Sequence, residues 1–138
     1  MNDYYKAKLE EGLAYQDFIS DRFGLVGFAS KKYQQLVGEN KLGLEIKLDN
    51  EYKKTGNLYI ELYEKTDKGN ENFVESGIFR DDNTVLYLIG NYAEAYLFSK
   101  RTLVAVKDKF KHVETETSKG YLLDTNNALL LCLKNYKF

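Results

Sequence analysis

The run "TVLYLIG" at residues 84–90 restricts the fold more than any other part of the sequence. A strand with one face in water alternates apolar and polar residues, whereas this run is almost continuously apolar. It is therefore typical of an interior strand whose sheet is covered on both faces. A further strand, "EAYLFS" at 94–99, follows after a short connection.

Apolar periodicity, capping residues and glycines predict the remaining elements. They are a helix over 3–22 ending near Gly24, a short strand over 25–30, a turn over 31–37, strands over 42–49 and 57–65, a short helix over 71–79, a helix from Ser99 or Thr102 to about Phe110, and a capped helix within 124–135. No repeat or linker interrupts the chain. We therefore expect a single α/β domain over 1–138, with a mixed central β-sheet flanked by helices.

The strands over 42–49 and 57–65 carry charges at alternating positions. In the first strand, Glu45, Lys47 and Asp49 share one face, and the leucines and the isoleucine share the other. In the second strand, a glutamate lies between two tyrosines. The simplest interpretation is the solvated outer face of an antiparallel sheet, but the tyrosines favour a partly covered face.

A hairpin that joins these strands about Lys53 would set Glu45 opposite Glu61, with Cβ atoms roughly 4.5–5.5 Å apart. Two carboxylates so close repel each other. A bound Mg²⁺ or Mn²⁺ would offset that repulsion, because hard cations prefer carboxylate, water and phosphate oxygens. Lys47, about 7 Å from Glu45 along the same face, could hold a phosphate or position the attacking water. The sequence therefore predicts a divalent-metal site on this pair of strands.

Glu11 is a third candidate metal ligand. It falls on a helical stripe with Ala7, Ala14 and Phe18, at a position that should be apolar. An acid at such a position needs a partner, which is either the same metal or a lysine in a salt bridge.

The composition excludes several kinds of site. His112 is the only histidine and Cys132 the only cysteine, so structural zinc sites and Ser-His or Cys-His catalytic systems lack their usual residues. No glycine-rich phosphate-binding loop occurs. The longest apolar run, at 128–133, is too short to cross a bilayer, and no signal-peptide pattern is present. We therefore expect a soluble cytoplasmic protein.

Any contact with nucleic acid must come from a local patch, because the net charge is only −1. The segment "KRTLVAVKDKFK" at 100–111 contains five basic residues and one acidic residue. A lysine-rich surface helix is its simplest interpretation, whereas a functional patch would contact nucleic-acid phosphates. The five basic residues are Lys100, Arg101, Lys107, Lys109 and Lys111.

The ordered pattern "GLEIKLD…TGNLYIELYEK…SGIFRDDN", together with the order of predicted elements, resembles the PD-(D/E)XK nuclease superfamily. It is similar in particular to small phage- or prophage-type members. The resemblance covers roughly residues 5–110 and implies a restriction-endonuclease-like three-layer fold. It also implies hydrolysis of phosphodiester bonds, expected in DNA and dependent on Mg²⁺ or Mn²⁺, with Glu45 and Glu61 as metal ligands and Lys47 as a displaced catalytic lysine.

Two departures from the family pattern leave alternatives open. The chain has no proline and hence no Pro-Asp, and Tyr63 stands where the catalytic lysine normally lies. A second alignment takes Glu45-Ile46-Lys47 as the acid-x-lysine motif, with Glu39 as the earlier acid. The first alignment is preferred, because only there does a predicted helix directly follow the second catalytic strand.

Other functions remain open at the level of sequence. One is a non-catalytic domain of the same fold, acting as a DNA-binding or assembly component in a phage particle or a larger complex. A weaker one is a small-ligand binder that uses the tyrosine-rich sheet. A nuclease of this size that cuts both strands would need two copies, so a homodimer is expected in that case.

Overall fold

The computed structural model describes residues 3–23, 43–65, 69 and 71–138. The α-helices within this part of the chain are α1 (Asp3–Phe23), α2 (Tyr52–Thr55), α3 (Lys100–Ala105) and α4 (Thr125–Leu131). The strands are β1 (Leu44–Leu48), β2 (Asn57–Glu64), β3 (Val74–Glu75), β4 (Leu86–Gly90), β5 (Glu94–Ser99), β6 (Lys111–Glu114), β7 (Ser118–Asp124) and β8 (Lys134–Lys137). Two 3₁₀ turns cover Gly77–Phe79 and Lys107–Lys109.

The described strands form two four-stranded sheets. The first sheet has the order β1-β4-β5-β8, in which β1 runs parallel to β4 and the other pairs are antiparallel. The second sheet has the order β3-β2-β7-β6 and is antiparallel throughout. The expected mixed α/β class is confirmed, although the strands are divided between two sheets.

The predicted hairpin of β1 and β2 is wrong, because these strands belong to different sheets. Glu45 is in register with Tyr87 of β4, whereas Glu61 is in register with Gly120 of β7. The connection between them contains α2 and ends at Gly56, whose left-handed φ of 75° redirects the chain. Alternation in a sequence indicates which residues share a face, and it does not identify the neighbouring strand.

The first sheet is covered by α1 on one face and by the second sheet on the other. Tyr15 and Ile19 of α1 pack on Ile46 and Leu88 of the first sheet. The core between the sheets contains Leu58, Ile60, Leu62, Tyr87, Ile89, Tyr96, Phe98, Tyr121 and Leu123. The strand predicted from the run 84–90 therefore has both faces covered, and β1 and β5 lie on either side of it, as expected for an interior strand.

The N-terminal helix is confirmed, but it packs through a different stripe from the one that contains Glu11. Leu13, Tyr15 and Ile19 are buried, whereas Glu11 is exposed. The prediction that Glu11 occupies a core-like position is therefore wrong. The helix instead turns its tyrosine and isoleucine toward the sheet, which leaves the acid at the rim.

Two further predicted elements are confirmed, one ends earlier than predicted, and the helix predicted over 71–79 is wrong. The strand over 94–99 is β5, and the C-terminal helix is capped by Asp124, whose Oδ2 accepts the Asn127 N–H at 3.0 Å. The helix expected to reach about Phe110 ends earlier, and that ring stacks on a tyrosine of β7. The predicted helix over 71–79 is β3 followed by a 3₁₀ turn.

Three predictions concern residues outside those that the structure describes. They are the strand over 25–30, the turn over 31–37 and the alternative acid Glu39. In the described part of the chain, no helix is long and apolar enough to cross a membrane.

A buried carboxylate joins α2 and β8 to β5. Glu94, with a side chain 12% exposed, lies 3.0 Å from the Lys53 ammonium and accepts a hydrogen bond from Asn135 Nδ2 at 3.2 Å. Burial alone would raise the pKa of Glu94. The hydrogen bonds from Lys53 and Asn135, together with the charges of Lys53 and Lys137, outweigh burial and hold that pKa below its ordinary value of 4.5.

We predict that Glu94→Gln lowers the free energy of unfolding at pH 7 by about 1–3 kcal/mol, because the buried position loses the charge-assisted hydrogen bonds that Lys53 and Asn135 donate to the carboxylate. A lowered carboxyl pKa contributes stability that is present above 4.5 and is lost as the pH falls through the folded-state value. The difference between variant and wild type should therefore shrink below pH 4.5. Chemical denaturation at both pH values measures it.

The exposed residue Glu116 provides the control, since Glu116→Gln should change the free energy of unfolding by less than about 0.5 kcal/mol. A Glu94→Gln variant as stable as the wild type at pH 7 would show that this network contributes nothing to folding.

Candidate functional site

An open cleft of about 670 Å³ lies where α1, β1, β2 and the Gly77–Phe79 turn meet. The charged residues that line it are Lys8, Glu11, Glu45, Lys47, Asp49, Glu51 and Glu61. The described lining thus holds five carboxylates and two ammonium groups, a formal excess of three negative charges. Such a cleft attracts cations and repels phosphate unless a cation is bound.

The cleft contains all four residues that the sequence analysis selected for metal binding and catalysis. Glu45 and Lys47 reach it because they leave β1 on the same face as their register partners in β4, Tyr87 and Ile89. Those two partners belong to the core between the sheets. Both charged side chains therefore point toward the second sheet, and Glu61 of β2 lines the same cleft.

Glu45 is buried and paired with its neighbour on the same strand. The residue is 8% exposed, and its Oε1 lies 3.8 Å from Lys47 Nζ. A solvated outer face is therefore the wrong description of this part of β1. Removing a carboxylate from water requires a compensating partner, and Lys47 supplies at least part of that compensation.

Glu61 is held by a buried hydroxyl and is poorly solvated. Ser76, which is fully buried, donates a hydrogen bond from Oγ to Glu61 Oε2 at 3.1 Å. Burial raises the pKa of Glu61, and the positive charge of Lys47 is the largest influence in the opposite direction. One ammonium group thus acts on both Glu45 and Glu61, although these residues lie on strands of different sheets.

Gly77 positions the backbone of Glu61. Its φ is +51°, and a Cβ at this position would overlap the Glu61 carbonyl oxygen. The Gly77 carbonyl also accepts a hydrogen bond from the Tyr87 hydroxyl at 2.7 Å. A residue with a side chain could not occupy this position without moving the strand that carries the glutamate.

Tyr59 is a lining residue that the sequence analysis did not select. Its hydroxyl and Ser118 Oγ are 2.6 Å apart, and Ser118 Oγ is 3.2 Å from Thr115 Oγ1, which belongs to another lining residue. A Cβ at Gly120 would lie 2.8 Å from Tyr59 Cζ, so this glycine makes room for the ring. Burial raises the pKa of Tyr59. The tyrosine is therefore a neutral, fixed hydroxyl group beside Glu61.

Asp49 is a second lining residue that was not predicted from the sequence to belong to the site, although the alternation of the strand places it on the same face as Glu45 and Lys47. It follows Glu45 and Lys47 on the same face of the strand. Its Oδ2 accepts the Tyr59 N–H at 2.9 Å and its Oδ1 accepts the Glu51 N–H at 3.1 Å. Asp49 therefore ties the end of β1 to the start of β2 across the two sheets.

Glu11 lies at the rim of the cleft and is paired with a lysine, which is one of the two partners that the sequence predicted for it. Its Oε2 is 3.5 Å from Lys8 Nζ, and the two side chains are 49% and 57% exposed. An exposed pair one helical turn apart contributes little to stability. The arrangement favours the salt-bridge alternative over a ligand role for this acid.

None of the five basic residues of the segment 100–111 lines the cleft. Lys100 is 19% exposed and is engaged inside the molecule, because its Nζ donates to the Arg80 carbonyl at 2.8 Å and lies 3.4 Å from Asp82. Lys107 pairs with Asp108. The remaining basic residues, Arg101, Lys109 and Lys111, are exposed.

The donor set of the cleft fits a hard divalent cation. Glu45 and Glu61 offer carboxylate oxygens, and Mg²⁺ binds in proteins through one or two carboxylates, with water and phosphate completing its shell. Among the described residues, no group of three or more histidine, cysteine, aspartate or glutamate side chains is arranged to hold a metal. A site of this kind would therefore depend on substrate and water for its remaining ligands.

Comparisons with protein-family models, with curated proteins and with solved structures find no match for this chain.

We predict that Glu61→Gln raises the melting temperature of the metal-free protein at pH 7 by about 2–4 °C. A raised carboxyl pKa favours the folded state at low pH, and this contribution is lost as the pH rises through the folded-state value. At pH 7 the ionised, desolvated Glu61 therefore costs stability, and glutamine removes that cost. Below pH 4.5 the advantage of the variant should disappear.

The matched control is Glu64→Gln on the same strand. Glu64 is 39% exposed, pairs with Arg80 at 3.6 Å, and does not line the cleft. The charge of Glu64 also raises the pKa of Glu61, but less than burial does. Differential scanning calorimetry in EDTA should therefore show a smaller stabilisation by this control than by Glu61→Gln. If Glu61→Gln melts below the wild type at pH 7, the carboxylate is well satisfied in the metal-free state and the argument from burial is wrong.

Proposed function

We propose that the protein is a metal-dependent nuclease that hydrolyses phosphodiester bonds in nucleic acid, with DNA as the expected substrate. The observation that carries the proposal is a convergence in space. The segments 43–49, 55–65 and 76–83, which together carry the resemblance to PD-(D/E)XK nucleases, meet at one acidic cleft. Because these segments are distant in the sequence, only the tertiary fold brings them to one site.

In this proposal, Glu45 and Glu61 hold Mg²⁺ or Mn²⁺, and Glu11 lies too close to Lys8 to be a principal ligand. When bound, the ion supplies Lewis-acid stabilisation of the charge that develops on the phosphate. The excess of negative charge in the cleft supports a cation requirement, because phosphate approaches five carboxylates only after part of their charge is neutralised.

The side chains of the protein divide the remaining tasks. Lys47 carries a positive charge that acts on both acids, and in the same cleft it can orient the scissile phosphate or the attacking water for an in-line displacement. Ser76 holds Glu61 through Oε2 and so restricts the orientation of that carboxylate. Tyr59, with a hydroxyl fixed by Ser118, adds a neutral hydrogen-bonding group at the same wall.

A restriction-endonuclease-like architecture is the structural part of the proposal. The mixed first sheet and the N-terminal helix packed on it support it. The chain departs from that expectation on the other face of the sheet, where a second sheet replaces the expected helices. Cleavage of both strands of a duplex would require a homodimer.

A non-catalytic DNA-binding or assembly component, such as a part of a phage particle, is the second candidate. One observation favours it. Tyr63, which stands where the family pattern has lysine, packs edge-on against Phe79 at 5.4 Å between ring centroids. This position therefore contributes to packing and supplies no ammonium group to the cleft.

We predict that the purified protein cleaves plasmid DNA, single-stranded DNA or RNA in Mg²⁺ or Mn²⁺ and does not cleave them in EDTA. Glu45→Gln, Glu61→Gln and Lys47→Met should each lower the cleavage rate at least about 100-fold, because each removes a group that holds the cation or orients the phosphate. The rate is measured from the loss of intact substrate on gels.

Glu64→Gln again provides the matched control and should cleave at a rate close to that of the wild type. Equal losses in Glu64→Gln and Glu61→Gln would assign the activity to another part of the chain. Absence of cleavage on every substrate, with no shift of melting temperature by Mg²⁺ or Mn²⁺, would leave the non-catalytic function as the better account.

A further inference from the structure

Two lysines share one aromatic ring at an edge of the second sheet. The ammonium groups of Lys65 and Lys119 lie 4.5 Å and 4.4 Å from the centroid of the Phe73 ring. Cation–π attraction holds each ammonium over the ring. We call these three residues the lysine–phenylalanine cluster. The cluster keeps two like charges close together, so an anion near them would gain from both.

The positive charge of this cluster is only partly compensated. Lys119 Nζ lies 3.4 Å from Glu114 Oε1, but the two side chains are 43% and 62% exposed, and exposed pairs are weak. Among the residues that the structure describes, no carboxylate forms an ion pair with Lys65. The neighbouring Glu64 is paired with Arg80.

The cluster is connected to the cleft by the turn between β6 and β7. The Lys65 N–H donates to the Thr117 carbonyl at 2.7 Å, which places this lysine beside the turn. Thr115, at the start of the same turn, lines the cleft. Ser118, at its end, holds the Tyr59 hydroxyl of the cleft wall. The β6–β7 turn therefore contacts both the acidic cleft and the backbone of Lys65.

We propose that a nucleic-acid strand bound in the cleft continues over the β6–β7 turn and places neighbouring phosphates on Lys65 and Lys119. The choice of nucleic acid as the partner rests on the proposed function. Phosphate contacts of this kind set the register of a strand and carry no base specificity. Phe73 fixes the two lysines in advance, which lowers the entropy lost when the strand binds. This path, and not the segment 100–111, is then the main phosphate contact.

The test measures DNA binding and does not depend on cleavage. Fluorescence anisotropy of labelled single- and double-stranded oligonucleotides is recorded over a range of salt concentrations in Ca²⁺, a hard cation that binds carboxylate oxygens and can neutralise the cleft in place of Mg²⁺. Gels of the same samples verify that the oligonucleotides remain intact. Each lost phosphate contact should reduce the slope of log affinity against log salt by about 0.7–0.9. Lys65→Gln and Lys119→Gln should each produce one such reduction, and the double variant should produce both and weaken binding about 10-fold or more at low salt.

Two matched variants control for charge and for ring contact. Lys65→Arg/Lys119→Arg keeps both charges and should bind like the wild type. Lys134→Gln removes an exposed lysine on β8 whose ammonium also lies over a tyrosine ring, at 5.2 Å from its centroid, and should leave the slope unchanged. Melting temperatures of all variants close to that of the wild type would show that the folds are intact.

The result that overturns the inference is a slope that stays the same in Lys65→Gln/Lys119→Gln. A reduced slope in Lys109→Gln/Lys111→Gln alone, or wild-type protein that binds no nucleic acid, overturns it as well. If the protein cleaves nucleic acid but its binding does not change in the Lys65 and Lys119 variants, this inference is wrong and the nuclease proposal stands. Lysine-dependent binding without cleavage supports the surface and removes the nuclease proposal.

Discussion

Both faces of β1 are occupied, and the rest of the site depends on that constraint. Leu44 and Ile46 pack against α1, so the alternating residues Glu45 and Lys47 must point toward the second sheet. Charges at the margin of a core lose water and need partners. Glu45 is paired with Lys47 on the same strand, and Lys47 also acts electrostatically on Glu61 of β2 in the second sheet. A cleft with desolvated acids on both walls is the consequence.

The second determinant of the site is the close contact between the 3₁₀ turn and β2. Gly77 packs on the backbone of Glu61, and Ser76 binds the carboxylate of the same residue. One short segment thus fixes both the main chain and the side chain of an acid in the cleft. Tyr87, which hydrogen-bonds the Gly77 carbonyl, connects this segment to the interior strand of the first sheet. Three segments distant in sequence are therefore mutually positioned.

The sequence patterns succeeded where the signal was local. The run at 84–90 identified an interior strand, the alternation at 42–49 placed Glu45 and Lys47 on one face, and Asp124 marked the start of a helix. The patterns missed β6, β7 and β8, of which β6 and β8 are short edge strands that carry charged residues. Charged edge strands discourage aggregation, and for that reason they lack the apolar alternation by which a strand is recognised.

The sequence by itself determined the candidate residues and the face of the strand that carries Glu45 and Lys47. It also excluded sites that need several histidine or cysteine residues. Only the tertiary structure decided that β1 and β2 lie in different sheets and that the charge of Lys47 acts on both Glu45 and Glu61. Strand pairing depends on non-local packing, since a period of two specifies faces and leaves the partner open. The partners of each charge therefore followed from the layering of α1 and the two sheets.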